Sequence, residues 1–298
     1  MEVNRASLAG INTSFNTIFN GALGGVETTW NKIAMEVPST TRENDYRWLA
    51  KLQGMRRWVG DRVINNVAKD GYKVENEAFE NTIGVDRDDI EDDQIGVYNP
   101  LVADLGQTAA EHPDFLVWNL LKSGFTEACY DGQYFFDTDH PVIGENGDEQ
   151  SVSNFQGGAG TAWFLLDTTR AIKPLIFQMR RRAQLTALIN NTDPNVFMAK
   201  QFVWGVDMRC AAGFGLWQLA YASKQTLNSE NYFAARAAMM SMTGDHGRQL
   251  RLRPNLLVVP PSLEKKALEV LKAERDAAGA TNVAQGTAMH HVEQLLAA

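Results

Sequence analysis

The longest helical pattern in the chain spans residues 99–124, and it constrains the fold more than any other feature. Pro100 suits the first turn of a helix and Gly124 suits its C-terminal end. Apolar side chains recur at helical spacing on two successive stripes: Leu101, Leu105, Ala109 and His112, followed by Phe115, Leu116, Leu120 and Leu121. Because Pro113 stands between the stripes, we expect a helix over residues 99–123 that kinks or restarts there.

The segment before this helix has the composition of extended structure. Residues 58–67 are strand-like, a turn is indicated at Lys69-Asp70-Gly71, and residues 72–85 alternate with a weakly apolar pattern on both faces. A hairpin of this kind is not stable alone, so we expect a projecting β-arm that lies across another surface. Six acidic residues within positions 86–93 predict a solvated loop, because they lack the ligand spacing of a calcium loop.

The N-terminal residues 1–35 are rich in Asn, Ser, Thr and Gly, with widely spaced aromatic side chains. They contain too few apolar residues for an independent core. We expect an arm that packs on something else rather than a domain.

The second half of the chain mixes strand and helix patterns. Residues 130–160 are turn-rich, and residues 161–217 are mainly strand-like, with Pro174 opening one of the apolar runs. Asn228 or Ser229 can begin a helix that reaches about Met242, with Phe233, Ala237 and Met240 on one face. Residues 255–259 predict a buried strand. Ser262 is predicted to cap the helix that follows, whose apolar stripe consists of Leu263, Ala267, Val270 and Leu271. The sum is an α+β chain.

The charge of the chain argues against several classes of partner. The formal net charge is −8, so the chain has no general basic surface of the kind that attracts nucleic acid or anionic membranes, although Arg180, Arg181 and Arg182 form a local patch. Two cysteines give no disulfide framework and suit a reducing compartment. We see no secretory signal and no apolar run of the ~20 residues needed to cross a bilayer.

The stretch CYDGQYFFDTDHPV, residues 129–142, has the residue types of an active or metal site. If the chain is extended there, Asp137 and Asp139 share a face, and with His140 they can ligate a cation. However, Asp131-Gly132 is a common turn pair and His140 stands before a proline. A turn, a short apolar strand piece and a second turn account for the stretch, with His140 holding the loop by a hydrogen bond. We therefore predict a structural loop braced by Asp131, Asp139 and His140, with no metal, cofactor or catalytic residue.

The order of several stretches resembles the family of Mu-like phage major head subunits, the principal capsid proteins of Mu-type tailed phages. The resemblance covers nearly the whole chain. It rests on residues 72–96, the HPD triplet at 112–114, and residues 129–142, 163–178, 214–223 and 252–271.

The resemblance implies the Hong Kong 97 capsid fold. Its N-terminal arm would span residues 1–45, its extended β-hairpin loop 56–97, its peripheral domain 98–154 with the spine helix at 99–123, and its axial domain 155–298 with returning peripheral strands. It also implies a virion protein that assembles in the host cytoplasm into pentamers and hexamers of a shell. A scaffolding protein and a portal would take part in assembly, a decoration protein can bind, and double-stranded DNA would lie inside without sequence-specific binding.

Contacts between subunits are expected at the extended loop and at the two charged patches. The candidate residues are Trp58, Lys69, Tyr72, Phe79, Asp89, Asp92, Arg180, Arg181 and Arg182. The acidic run of one subunit would meet the arginines of the next. Two alternatives remain open: a cellular nanocompartment shell of the same fold, and a metal-dependent hydrolase that uses Asp137, Asp139 and His140.

Overall fold

The computed structural model describes residues 2–50, 71–276 and 279–297. Its helices are α1 (Arg5–Gly25), α2 (Arg87–Glu91), α3 (Asn99–Ser123), α4 (Pro194–Ala199), α5 (Ser229–Ser241) and α6 (Glu264–Leu271). In these described ranges, every helix is too short or too polar to traverse a lipid bilayer.

The strands are β1 (Ala34–Pro38), β2 (Glu43–Asp45), β3 (Lys73–Glu75), β4 (Glu77–Asp86), β5 (His140–Ile143), β6 (Glu149–Val152), β7 (Trp163–Leu166), β8 (Leu175–Leu188), β9 (Gln201–Phe214), β10 (Ala220–Ser223), β11 (Thr243–Gly244), β12 (Arg248–Gln249), β13 (Leu256–Val259) and β14 (Met289–Val292). Two four-stranded sheets have the orders β1-β8-β9-β4 and β10-β7-β13-β14, and three further strand pairs are separate. The predicted α+β class is confirmed.

Helix α3 forms where the sequence predicts it, and it continues through Pro113 as one element of 25 residues without restarting. Pro100 stands in its first turn and Gly124 is its C-cap, as expected. Its buried face differs in part from the predicted stripes, because Leu101 and Phe115 are exposed while Val117 and Trp118 are fully buried. The helix packs against α1 as well as β8 and β9, so these neighbours together select the face that is buried.

Helix α1 occupies most of the segment for which only an arm was expected. Asn4 caps it by accepting hydrogen bonds from the backbone N–H groups of Ala6 and Ser7. Its apolar face packs on α3 within one buried cluster that includes Leu8, Ile11, Phe15 and Phe19. The two helices approach closely at Gly106, where a Cβ atom would lie 2.5 Å from the Phe19 carbonyl oxygen. The N-terminal segment therefore packs on its own subunit.

The strand pairing of residues 72–86 differs from the predicted projecting hairpin. Val74 and Asn76 are buried and share a face, as the alternation predicted. The chain then continues as β4, which pairs antiparallel with β9 from Glu77↔Cys210 to Asp86↔Gln201. The first predicted strand, residues 58–67, lies outside the described residues. Among the described residues, β4 therefore pairs with β9, which stands more than a hundred residues away in the sequence, and not with a neighbouring strand of a hairpin.

The acidic run at 86–93 contains the short helix α2 rather than a solvated loop. Asp86 caps this helix by accepting a hydrogen bond from the Asp88 backbone N–H at 2.9 Å. Asp88 and Asp89 stand in its first turn, where the helix dipole favours negative charge. Ile90 is fully buried and holds the turn onto the body.

Strands β8 and β9 form the longest strand pair in the described chain, each 14 residues long. Their register shifts twice between Met179 and Gln184, which bends the pair, as bulges do. Helix α4 joins the far ends of the two strands. It ends at Lys200, whose backbone has the left-handed conformation. Val196 of α4 is buried in the cluster that α1 and α3 share with the start of β9.

The C-terminal half follows the predicted order with two corrections. Asn228 caps α5 and β13 is fully buried, as predicted. However, α5 buries Tyr232, Ala235 and Met239, while Met240 on the predicted face is exposed. Helix α6 begins at Glu264 after a 3₁₀ turn, so Ser262 is not its cap. The segment after Gly279 supplies β14, which pairs parallel with β13.

Candidate functional site

The segment between α3 and β7 is built from tight turns, as its sequence predicted. The Cys129 backbone N–H donates to the Gln133 carbonyl at 2.8 Å, and Gly132 adopts a positive φ of 87°. The Asp131 carboxylate accepts a hydrogen bond from the Gln133 backbone N–H at 3.1 Å and so closes the turn. Phe135 and Phe136 follow and are buried, but they form no strand.

His140 begins β5 and is fully buried. Its Nδ1 atom lies 2.8 Å from Asp131 Oδ2, and its Nε2 atom lies 3.2 Å from Asn154 Oδ1. Its ring stacks on Trp217, with the ring centroids 3.9 Å apart. Both ring nitrogens therefore have hydrogen-bonding partners, one in the turn at Asp131 and one at Asn154.

Asn154 is the residue of this site that the sequence did not single out. Its side chain is fully buried. Its Nδ2 atom donates to the backbone carbonyls of Phe135, Trp217 and Ala220, while its Oδ1 atom accepts from the Asp137 backbone N–H at 2.9 Å. One amide thus satisfies backbone groups from two stretches of chain, residues 135–137 and 217–220. No local pattern marks it, because the donors and acceptors lie between 17 and 66 residues away.

The charges of this loop are set by burial and by hydrogen bonds. Burial alone would raise the pKa of Asp131. The hydrogen bonds from His140 and the Cys129 thiol lower this pKa by more than burial raises it, so the net pKa lies below the ordinary value. Burial raises the pKa of the Cys129 thiol well above its ordinary value, and the neighbouring Asp131 charge adds to this shift. Cys129 therefore keeps its proton and donates an S–H hydrogen bond to Asp131, with Sγ and Oδ1 separated by 3.1 Å.

The acids of the hydrolase alternative face elsewhere. Asp137 accepts a hydrogen bond from the Thr138 backbone N–H at 2.6 Å, and Asp139 accepts one from the Ser151 hydroxyl. The ring nitrogens of His140 face Asp131 and Asn154 instead. Within the described residues, the one group of possible metal ligands consists of Cys129, Asp131 and His140.

The charged residues predicted to join neighbouring subunits have partners in their own chain. Arg181 forms an ion pair with Asp207, and Arg182 Nη2 lies 2.6 Å from Glu36 Oε1. Asp89 accepts a hydrogen bond from the Tyr98 hydroxyl at 2.5 Å. These contacts occupy Arg181, Arg182 and Asp89 within the isolated subunit, whereas Asp92 is exposed and Arg180 is half-buried.

The remaining contact candidates divide between partly buried and undescribed positions. The Tyr72 hydroxyl accepts a hydrogen bond from the Phe214 backbone N–H at 3.0 Å, and burial raises the pKa of Tyr72 to about 12. The Phe79 ring lies 4.1 Å from that of His112 on α3, measured between centroids. Both side chains thus anchor β3 and β4 to the body. Trp58 and Lys69 lie outside the described residues.

The family comparison covers almost the entire chain. Residues 8–295 match the model of the Mu-like prophage major head subunit gpT. The chain is 43% identical over 289 residues to the major capsid protein of Escherichia phage Mu, covering 95% of each protein. It is 42% identical over 268 residues to the Mu-like prophage FluMu major head subunit of Haemophilus influenzae, covering 87% of each.

Solved structures of phage shells have the same fold. The procapsid of bacteriophage JBD30 matches with a TM-score of 0.87 at 44% identity, covering 98% of this chain and all of the other. The capsid of the same phage matches with a TM-score of 0.76 at 33% identity, with full coverage of both chains. The JBD30 capsid decorated with minor capsid protein trimers matches with a TM-score of 0.77 over 92% of this chain and 93% of the other, again at 33% identity.

Proposed function

The chain belongs to the family of the Mu-like prophage major head subunit gpT and is a major capsid protein of the Mu-like type, and on this premise we propose that its copies close into an icosahedral shell of pentamers and hexamers around phage DNA. The family is one of structural capsid proteins, and we assign the chain no catalytic role. Closed symmetry turns many modest contacts between copies into one stable particle.

The apolar tip of the β8–β9 pair is the observation that carries this proposal. Phe197 and Met198 on α4 are 82% and 80% exposed, and Leu188 at the end of β8 is also exposed. Single exposed apolar residues are ordinary on soluble proteins, but Leu188, Phe197 and Met198 all lie where α4 joins β8 to β9, and we take them as one apolar patch. Such a patch gains its burial from another molecule, and in a shell that molecule is a neighbouring subunit.

Strand β4 offers a second surface for contact between subunits. It is an edge strand of its sheet, so one side of its backbone has no strand partner among the described residues. Edge strands are natural sites for pairing with another chain. We propose that residues 56–97, with Trp58, Lys69, Tyr72, Phe79, Asp89 and Asp92, contact a neighbouring subunit together with Arg180, Arg181 and Arg182. Because several of these side chains have partners in their own subunit, their contacts would extend existing networks.

The mixed helix–strand fold is consistent with a tailed-phage capsid protein, and we propose the Hong Kong 97 division for it. The N-terminal arm would be residues 1–45, the extended loop 56–97, the peripheral domain 98–154 with α3 as the spine helix, and the axial domain 155–298. Strands β8 and β9 would be the peripheral strands that return from the axial region. Their packing on α3 supports this assignment.

Further partners follow from the role of the shell. We propose that a scaffolding protein and a portal take part in assembly in the host cytoplasm, and that a decoration protein binds the outside, as minor capsid protein trimers do on the JBD30 capsid. Double-stranded DNA would be retained by closure of the shell. A net charge of −8 favours containment over tight binding of phosphates.

The contents of purified particles test this function against the nanocompartment alternative. We expect particles from a phage lysate to hold double-stranded DNA that external nuclease cannot digest, and particles of the chain expressed alone to lack a folded protein cargo. Particles filled by a co-purifying enzyme, with no protected DNA, would favour a nanocompartment. A hydrolytic activity lost in Asp137→Asn and Asp139→Asn variants would favour the hydrolase.

A further inference from the structure

We propose that Cys129, Asp131 and His140 form a zinc site that ties together the two ends of the loop after α3. Their ligand atoms, one thiol sulfur, one carboxylate oxygen and one imidazole nitrogen, lie within 4.8 Å of one another. Cys129 and His140 are buried and Asp131 is nearly so. These three residues differ from the Asp137, Asp139 and His140 set that the sequence alone brought to attention.

The hydrogen bonds of Asn154 fix the orientation of the His140 ring at this site. The Asn154 amide is oriented by three backbone carbonyls that accept from Nδ2, so Oδ1 faces His140 and can only accept. His140 Nε2 therefore carries a proton, which it donates to Oδ1 over 3.2 Å. Nδ1 is then the ring atom that points at Asp131 and Cys129; it donates a hydrogen bond to Asp131 Oδ2 over 2.8 Å and would give up this proton to bind the metal. A metal-binding histidine characteristically donates its second N–H to an oxygen in this way.

The charges of the site suit a divalent cation. When the metal binds, the Cys129 thiol and the Nδ1–H of His140 would each lose a proton to solvent, and the Asp131 carboxylate would exchange their hydrogen bonds for a metal–oxygen bond. The thiolate and the carboxylate together balance the two positive charges, and the metal-bound imidazole is neutral. The buried site would then carry no net charge, which avoids the cost of isolated buried ions.

The donor set and the room beside it favour zinc. Sulfur, nitrogen and oxygen ligands together are typical of Zn²⁺, whereas Mg²⁺ and Ca²⁺ prefer oxygen alone. Three protein ligands leave one position of a tetrahedron open. A cavity of about 320 Å³ is lined by Asp131, Trp217 and Asp245, so it borders one of the three ligand residues, and the fourth ligand would be a water molecule from this cavity.

The test compares the two cysteines of the chain in purified full-length protein. The protein is stripped with a chelator, loaded with Zn²⁺ or Co²⁺ alone, and measured by elemental analysis and by the absorption band of a cobalt–thiolate bond. We expect one metal ion per chain and a cobalt–thiolate band for the wild type and for Cys210→Ala. Cys210 is also buried but lies in the strand core, outside the cluster. Cys129→Ser should lose the band and bind zinc at least about tenfold more weakly.

A second measurement keeps the proposal testable if Cys129→Ser folds poorly. Zn²⁺ should raise the melting temperature of the wild type, because a ligand that binds only the folded state stabilises it, whereas Mg²⁺ should leave it unchanged. Wild-type protein that takes up no zinc and shows no zinc-dependent melting would overturn the proposal and leave a loop held by hydrogen bonds. A cobalt–thiolate band that persists in Cys129→Ser but disappears in Cys210→Ala would overturn it too.

Discussion

The imidazole ring of His140 stacks on the indole ring of Trp217, with the centroids 3.9 Å apart and the planes 9° from parallel. This contact joins the start of β5 to the 3₁₀ turn before β10, and the Asn154 amide connects the same two segments. The loop after α3 is thus fixed to the second sheet through side chains rather than through strand pairing.

Removing the Asn154 amide should destabilise the subunit more than its size suggests. Asn154→Ala leaves the carbonyls of Phe135, Trp217 and Ala220, the Asp137 N–H and one nitrogen of His140 without this partner. We expect a loss of roughly 2–4 kcal/mol in the free energy of unfolding, measured by denaturant titration, because unsatisfied buried groups cost ~1–3 kcal/mol each and some will recruit water.

The matched control for this prediction is Asn20→Ala. Asn20 is exposed on α1 and its side chain donates to the Asn16 carbonyl one turn earlier. We expect a change within about 0.5 kcal/mol, since alanine favours the helix. Equal losses for the two variants would contradict the role assigned to Asn154.

The close approach of α1 and α3 makes Gly106 sensitive to a single methyl group. In Gly106→Ala the new Cβ would lie 2.5 Å from the Phe19 carbonyl oxygen and 2.9 Å from the Ala22 Cβ. Alanine normally stabilises a helix interior by ~1 kcal/mol relative to glycine, but the clash should outweigh this. We expect a net loss of about 1–3 kcal/mol in thermal or denaturant unfolding.

Gly10→Ala on helix α1 is the matched control, and we expect it to raise the stability of the subunit. A Cβ at Gly10 would meet no other atom within 4 Å. We expect this variant to gain roughly 0.5–1 kcal/mol. If Gly106→Ala were stabilising to the same degree, the helices would not be in contact as described.

Glu293 should give the subunit a component of acid sensitivity. Burial alone would raise its pKa, but hydrogen bonds from His291 and from the Leu295 backbone N–H lower it more, so the net pKa lies below the ordinary value of 4.5. A carboxylate with a depressed pKa stabilises the folded state above its unfolded pKa, and this contribution is lost as pH falls through the folded pKa. The wild type should therefore be more stable than Glu293→Gln at about pH 6, and the difference should shrink below about pH 4.5.

Unfolding measured across this pH range tests the prediction, with Glu27→Gln as the control at an exposed position. The control should differ from the wild type by a small amount that does not vary with pH. A Glu293→Gln difference that grows on acidification would show that the sign is wrong.

The apolar tip at α4 should matter for assembly and not for folding. Phe197 and Met198 are both exposed in the subunit, so a double Phe197→Ser and Met198→Ser variant should unfold within about 0.5 kcal/mol of the wild type. If the tip is buried between subunits, the yield of particles in a sedimentation assay should fall at least about tenfold. Val283→Ser, at another exposed apolar position, should assemble normally. Normal particle yield from the double variant would exclude the tip as a contact.

The sequence predicted elements whose signal is local. Helix α3, the Asn228 cap of α5 and strand β13 rest on periodicity, capping and a continuous apolar run, and each forms within a residue or two of its predicted bounds. Helix α1 also had a signal, because Leu8, Ile11, Phe15 and Phe19 are spaced three and four apart. We predicted an arm there because the segment is rich in Asn and Thr, and we gave this composition more weight than the apolar spacing.

The rest depends on partners that are distant in the sequence. The alternation of residues 72–85 indicated a strand but not its partner β9, which closes a loop of more than a hundred residues. The 129–142 stretch indicated a braced loop, but Asn154 and Trp217, which complete the brace, carry no local pattern. The buried face of α5 was misjudged because both faces of this helix hold apolar residues and only tertiary packing selects one.

Electron microscopy of the full-length chain, expressed with and without a scaffolding protein, tests the assembly of the subunit most directly. We predict closed shells or tubes built from rings of five and six copies, with the α4 tip covered by a neighbouring copy. A persistent monodisperse monomer under both conditions, with the α4 tip still open to solvent, would contradict this account.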